Sequence, residues 1–325
     1  MHQDPGHRPI AAGRKDHQTP SPVCIAVLIP TFRRPEGLRR LLDSLTEQTS
    51  RHPVRIHVAD NDGDGREGIA VVAGLKAAGY PLDIDAFVVP ERGLCNVRNA
   101  LVARALDAPD ATHVAMIDDD EWPDAGWLDA LVEGQQATGA DIVAGPVVSV
   151  FEGAKPAWAT HCRLFLPEQR PDGPCDIVWG VNNVLIVRSC LQTTPAPWFD
   201  MAFNEIGGED ADAFVRWQSE GRTFAWVQAA QVFEAIPPSR ARIAWVLRRG
   251  WRIGTSDVVI RFRREPGWQG KIKTTAKALA GFLTSAMTTP LRLPFERDRV
   301  NVLYDLSKSV AKLYAVCGGR YYEYR

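Results

Sequence analysis

Ile117 is followed by four acidic residues, Asp118, Asp119, Asp120 and Glu121, directly after the apolar run Val114-Ala115-Met116-Ile117. A strand that runs straight into a carboxylate cluster sets negative oxygens at the carboxyl edge of a sheet, where open α/β sheets bind their ligands. Carboxylates this crowded repel one another unless a cation lies among them, and an all-oxygen set suits Mg²⁺ or Mn²⁺. The pattern points to metal-bound nucleotide-diphosphate chemistry. Taken alone, the segment also fits a solvated acidic turn, with Asp124 as the N-cap of the next helix.

The order of elements around this cluster is alternating. Residues 24–29 read as a buried strand. Leu38, Leu41, Leu42 and Leu45 then fall at helical spacing, with Pro35 suited to the first turn. Residues 54–59, 84–89 and 113–117 make further strands, with helices expected over 69–78, 95–106 and 124–138. A strand is expected at 142–150, which completes β-α-β-α-β-α-β-α-β and implies a mostly parallel, doubly wound α/β sheet. The segment 151–176 reads as a Pro-rich loop over the site, 177–187 as strand-like, 209–220 as a helix and 223–227 as a last short strand. No Gly-x-Gly-x-x-Gly follows the first strand, which ends in Pro30-Thr31-Phe32-Arg33-Arg34; that weighs against a dinucleotide oxidoreductase.

Of 325 residues, 45% are hydrophobic and 24% charged, so the chain is globular. Six cysteines without a CxxC pair read as reduced structural thiols in a cytosolic protein. Residues 1–21 lack an apolar signal core and read as a disordered tail. The net charge of −1 conceals a division. Residues 239–325 carry 18 Lys and Arg against 6 Asp and Glu, leaving 20 against 33 in residues 1–238. In the basic section Trp245, Trp251, Phe262 and Trp268 interleave with Arg248, Arg249, Arg252, Arg261, Arg263 and Arg264. Lys271, Lys273 and Lys277 then lead into the uncharged stretch 278–289. That stretch is shorter than the roughly 20 apolar residues of a spanning helix. An interfacial helix over anionic lipid fits it best; a basic subdomain packed on the acidic body is the alternative, and no nucleic-acid partner is expected.

Five motifs in order now carry a likeness: Ile29-Pro30-Thr31-Phe32-Arg33, Val58-Ala59-Asp60-Asn61, Arg98-Asn99-Ala100, Asp118-Asp119-Asp120 and Gly208-Glu209-Asp210. Together they resemble family 2 glycosyltransferases over about residues 24–236. The chain is further similar to the glucosyltransferases of succinoglycan-type exopolysaccharide assembly through Val232-Phe233-Glu234, Pro237-Pro238, Arg240 and the closing Gly319-Arg320-Tyr321-Tyr322-Glu323-Tyr324. The resemblance implies a GT-A type nucleotide-diphospho-sugar transferase fold over residues 22–238 and an inverting mechanism. Residues 239–325 follow as a basic, amphipathic helical appendage associated with a membrane surface.

The resemblance also assigns roles. Pro30, Thr31 and Arg33 match the nucleotide pocket, and Asp60 the acceptor for a base N–H. An ionised Asp can accept from uracil, although an Asx-turn is the competing use of Asp60. Arg98 and Asn99 match positions near the diphosphate, where a guanidinium fork suits phosphate oxygens. Asp118 faces sugar or ribose and shares a metal with Asp120; Asp119 belongs to the same motif. Trp179 and Asn183 sit where relatives shape the donor-sugar and acceptor region. Glu234 stands where many relatives place a His ligand, so its metal role is an expectation. Asp210, with Glu209 second, matches the catalytic base. The implied enzyme is a metal-dependent hexosyltransferase moving glucose or a similar hexose from a UDP-sugar to a lipid-linked oligosaccharide. It would work in exopolysaccharide or cell-surface polysaccharide synthesis, peripherally on the cytoplasmic membrane face, with Mg²⁺ or Mn²⁺. A nucleotidyltransferase acting on a sugar phosphate and a non-catalytic sugar-nucleotide-binding protein are the alternatives.

Overall fold

The computed structural model describes residues 22–323, so the tail expected at 1–21 lies outside the described residues. Strand β1 (Ile25–Thr31) is buried along its whole length, as a strand covered on both faces should be. Helix α1 (Pro35–Leu45) starts with Pro at a position whose N–H would be unsatisfied anyway, and its four leucines are buried on one face. The alternation continues through β2 (Val54–Asp60), α2 (Glu67–Ala77), β3 (Asp83–Val88), α3 (Leu94–Asp107) and β4 (His113–Ile117). These strands pair in parallel in the order β3-β2-β1-β4. The chain thus winds outward from β1 to β3 and returns to the opposite side of β1. That reversal between β1 and β4 is a topological switch point, and it opens a crevice at the carboxyl ends of the two strands.

Beyond β4 the chain departs from simple alternation. The acidic turn feeds β5 (Glu121–Pro123), then α4 (Trp127–Thr138), which begins after Gly126 with no side-chain cap. Asp124 is therefore not its N-cap; the Asp124 carboxylate accepts the N–H of Ala125 at 2.9 Å. The single strand expected at 142–150 is two strands, β6 (Ile142–Ala144) and β7 (Val147–Phe151), belonging to different sheets. Pro146, which has no N–H to give a ladder, sits at the break. Next come β8 (Gly173–Cys175), β9 (Asn183–Val187), α5 (Arg188–Thr193), α6 (Glu209–Ser219), β10 (Phe224–Trp226) and β11 (Val232–Ile236). β9 inserts antiparallel between β4 and β6, and the large sheet runs β3-β2-β1-β4-β9-β6-β10-β8. A small second sheet, β5-β11-β7, holds two strands that sequence periodicity missed, β5 and β11; β8 of the large sheet is a third. Helices α1, α2 and α4 cover one face of the large sheet, while α3, α5 and α6 cover the other.

Residues past 239 form three helices, α7 (Ile243–Arg264), α8 (Trp268–Arg292) and α9 (Glu296–Val316). A Cβ added at Gly254 of α7 would lie 2.3 Å from the backbone oxygen of Lys308, so glycine permits the close α7–α9 approach. This section is packed onto the body. Val246 of α7 and Val300 of α9 share a buried cluster with Ala159, Cys162, Phe165 and Ile236. Ion pairs Arg263–Asp200 and Arg163–Asp305 also cross the boundary. Cysteine sulfurs are all unbridged among the described residues.

Asn183 belongs to this framework and not to the crevice. It is 2% exposed; its Oδ1 accepts the Trp127 indole N–H at 2.7 Å, and its Nδ2 donates to Pro146 O at 3.0 Å and Ala230 O at 2.8 Å. The resemblance puts Asn183 in the region that shapes the donor-sugar and acceptor side; here each polar atom of its amide is engaged by Trp127 of α4 or by the backbone at Pro146 and Ala230. Asn183→Leu should strand a buried indole N–H and lower stability by about 2–4 kcal/mol. Urea unfolding checks this, and an unchanged midpoint would contradict the framework role.

Candidate active site

The crevice at the β1/β4 switch point is a cleft of about 460 Å³, within the usual range for small-ligand sites. Pro30, Thr31 and Phe32 come from the end of β1, Asn61 from the end of β2, and Val97 and Arg98 from α3. Asp118 to Glu121 follow β4, Gly208 to Asp210 open α6, and Glu234 and Arg240 close the near wall. The two acidic groups far apart in sequence, at 118–121 and 209–210, therefore face one space.

Arg98 joins them. It is 4% exposed; one guanidinium nitrogen donates to Asp118 Oδ1 at 3.2 Å and the other to Glu209 Oε1. Glu209 is equally buried, and burial pushes its carboxyl up while Arg98 pulls it back down. Arg34 lies against Asp119 Oδ1 at 2.8 Å and Asp120 Oδ2 at 3.0 Å. Arg240 reaches Asp120 Oδ2 at 3.0 Å and Glu234 Oε1 at 2.9 Å. The repulsion that appeared to call for a metal ion is thus already offset by three guanidinium groups. Sequence reading missed Arg34, although it adjoins Arg33 in the same motif.

Each acid of the cluster has a distinct environment. Asp119 accepts from the Thr31 hydroxyl at 2.8 Å and the Phe32 N–H at 3.3 Å, which clamps the β1 loop to the acidic turn. Burial pushes its carboxyl up to about 6 against the pull of Arg34. Glu121 is 1% exposed, accepts from Asn182 Nδ2 at 2.5 Å, and stands directly across from Glu234 in the β5–β11 ladder. Like charges opposite one another destabilise a sheet. Accordingly burial, then Asp118, Asp120 and Glu234, raise Glu121 well above the usual carboxylate range, and burial with Asp120 pushes Glu234 up to about 7. Asp118 and Asp120 keep partial exposure at the cleft.

Other expected site residues sit elsewhere. Asp60 is 1% exposed and accepts three backbone N–H groups, those of Asp62 (3.0 Å), Gly68 (2.8 Å) and Ile69 (3.2 Å). It makes the Asx-turn and anchors the start of α2, which uses about three of its four acceptor sites. Arg33 adopts φ +52°, turns outward and pairs with Asp62 at 2.8 Å. Asn99 exchanges hydrogen bonds with the backbone of Phe199, at 2.7 and 2.9 Å, and so fixes the segment leading to α6. Trp179 is 56% exposed and outside the cleft wall, in a loop before β9.

A divalent ion fits the cleft only as a shared site. Among the described residues no three His, Cys, Asp or Glu side chains converge on one point. Asp118 and Asp120 nevertheless present carboxylate oxygens to the same cleft. Mg²⁺ is commonly held by one or two carboxylates with the remaining ligands from substrate phosphates and water.

The family described as Glycosyl transferase family 2 matches residues 26–202. The chain is also 31% identical over 234 residues to the succinoglycan biosynthesis protein ExoM of Rhizobium meliloti (strain 1021), covering 71% of this chain and 72% of that one. The chain belongs to glycosyltransferase family 2. It is a glycosyltransferase with the GT-A arrangement of a mostly parallel central sheet followed by C-terminal helices. Enzymes of this family generally use nucleotide-sugar donors with a divalent metal.

Removing Arg98 should leave Glu209 buried and without its main partner. Arg98→Ala is expected to cost about 3–5 kcal/mol of stability, and adding Glu209→Ala should recover part of that loss. Denaturant melts of both variants check it; additive losses would contradict the pairing.

Proposed function

We propose that the enzyme transfers a hexose, glucose in the first instance, from a UDP-sugar to a lipid-linked oligosaccharide with inversion at the anomeric carbon. By analogy with the succinoglycan biosynthesis relative, the setting is exopolysaccharide assembly. The observation that carries the reading is the Arg98 bridge, which fixes the Asp118–Asp120 turn and the Glu209–Asp210 helix start across one cleft.

Glu209 is committed to Arg98, whereas Asp210 lines the cleft half-buried, with Oδ1 accepting the N–H of Ala211 at 2.7 Å. Asp210 is the base in this reading. Its carboxylate takes the proton of the acceptor hydroxyl as that oxygen bonds to the anomeric carbon, and the bond to the UDP β-phosphate oxygen breaks. Asp210 stands in the first turn of α6, on the cleft side of the helix start. Asp118 and Asp120 would hold Mg²⁺ or Mn²⁺, which when bound offsets the negative charge gathering on the departing diphosphate. Arg34 and Arg240 hold Asp120 in place from both sides. Thr31, fixed by Asp119, shapes the nucleotide side of the cleft.

Asp210→Asn should retain UDP binding and lose about 10²–10⁴-fold in turnover. A coupled UDP-release assay alongside calorimetric UDP binding checks this. Turnover near wild type would remove Asp210 from the role of base. With the wild-type enzyme, chelation should abolish turnover and Mg²⁺ or Mn²⁺ restore it; full activity in chelator would contradict metal dependence.

The membrane part of the reading rests on α8, whose faces are inverted. Its packed side is small and polar, with Gly270, Thr274, Ala278 and Thr289 buried and Ser285 bonded to Ser309 at 2.9 Å. The outward side carries Trp268, Ile272, Leu279, Leu283, Met287 and Leu291, each between 48% and 71% exposed. Among the described residues no helix is long and apolar enough to cross a membrane. A continuous apolar stripe in water marks an interaction surface, and Lys271, Lys273 and Lys277 beside it match anionic head groups. Replacing Leu279, Leu283 and Met287 together by Gln should abolish flotation with phosphatidylglycerol vesicles while the melting temperature holds. Undiminished flotation would contradict this use of α8.

A further inference from the structure

The cleft does not end with the sheet. Trp245, Arg249 and Arg252 of α7 line it, as does Glu323 near the end of the chain. The α7 residues recur at i, i+4 and i+7, so one face of that helix looks into the cleft. Glu323 arrives by a specific route. After α9 the chain reverses at Gly318, with φ +92°, a conformation glycine adopts readily. The Gly319 N–H bonds Tyr314 O at 3.0 Å, and the Glu323 N–H bonds Glu205 O at 3.0 Å. Glu205 lies just ahead of Gly207, Gly208 and α6, so this attachment brings residue 323 to the side of the cleft that holds Asp210.

We propose that the α7 face of Trp245, Arg249 and Arg252, together with Glu323 on the folded-back C-terminal segment, forms the subsite that binds the saccharide end of the acceptor. The proposal rests on the transferase reading and lies beyond the family-matched residues 26–202. Trp245 stacks on Phe165, with centroids 6.0 Å apart and planes 17° from parallel, and Phe165 is backed by Phe151 and Trp158. That gives a rigid aromatic surface of the kind on which the C–H face of a pyranose lies. Arg34, Arg98 and Arg240 are held by acids. Arg252 instead makes no ion pair among the described residues, and its buried Nε has no hydrogen-bond partner there. A guanidinium only donates and a carboxylate only accepts, so Arg252 and Glu323 together can satisfy sugar hydroxyls in both senses. The carboxylate of Glu323 would repel a phosphate, which favours an uncharged sugar at this wall.

The test is saturation-transfer NMR with methyl β-glucoside and cellobiose, on the full chain with Mg²⁺ and UDP, alongside calorimetry of UDP binding. Glu323→Gln and Arg252→Met should each weaken glycoside binding about tenfold, as loss of a hydrogen bond to a charged group does. UDP affinity should stay within about twofold, since the donor side of the cleft is untouched, and unchanged melting temperatures keep the comparison valid. Three results would overturn the proposal: no glycoside binding to the wild-type chain, binding that neither variant weakens, or a parallel fall in UDP affinity. A chain that binds no UDP but shows glycoside binding lost in both variants would overturn the UDP-sugar donor and leave this subsite standing.

Discussion

Arg98 stands between two carboxylates that the chain places far apart, and the working geometry depends on its being charged and buried. Taking a guanidinium out of water is unfavourable unless its donors are matched, and Asp118 and Glu209 match them from opposite sides. α3, which carries Arg98, packs on the sheet through Cys95, Val97, Leu101 and Val102. The position of Arg98 is therefore set by the core, and the two acids take theirs from it. The end of β4 and the start of α6 thus line one cleft, which Asp210 shares with Asp118 and Asp120.

The same charge logic runs through the cleft. A carboxylate cluster in a low-dielectric crevice needs positive charge nearby, and Arg34 and Arg240 provide it within the protein. Asp118 and Asp120, the residues that would hold a divalent cation, already share their charge with Arg98, Arg34 and Arg240. In the cross-strand pair Glu121–Glu234, burial and neighbouring carboxylates push both groups up from the usual carboxylate range. The helical section completes the arrangement. Some of its basic residues line the cleft (Arg249 and Arg252), some pair with acids, as Arg263 does with Asp200, and Lys271, Lys273 and Lys277 lie beside the exposed α8 stripe.

What the sequence made legible was mostly local. The four leucines of α1, the buried β1 and the strand ending at Ile117 were readable because helical and extended periodicities are properties of neighbouring residues. The acidic cluster, Arg98 and the pair at 209–210 were readable as motifs, and they do share a cleft. Orientation was not readable. Asn183, Asn99 and Asp60 have side chains that suit a ligand equally well, yet each is drawn to backbone groups that only the tertiary fold brings near. Arg33 and Arg34 are adjacent, and a positive φ at Arg33 turns it outward while Arg34 faces the acids. The break at Pro146 and the strand β11 depend on a second sheet that alternation of hydrophobic residues does not announce. Trp245, Arg249 and Arg252 looked like part of a basic tail, and the cleft lies against them only because α7 packs on Phe165 and Ile236.

The most direct measurement is a crystal structure of the full chain with UDP and Mn²⁺, the ion located by its anomalous scattering. The account predicts an anomalous peak against Asp118 and Asp120, bridged to the diphosphate, with Asp210 across the cleft and Arg98 still joining Asp118 to Glu209. A nucleotide bound outside the β1/β4 crevice, or a metal held away from residues 118–120, would contradict it.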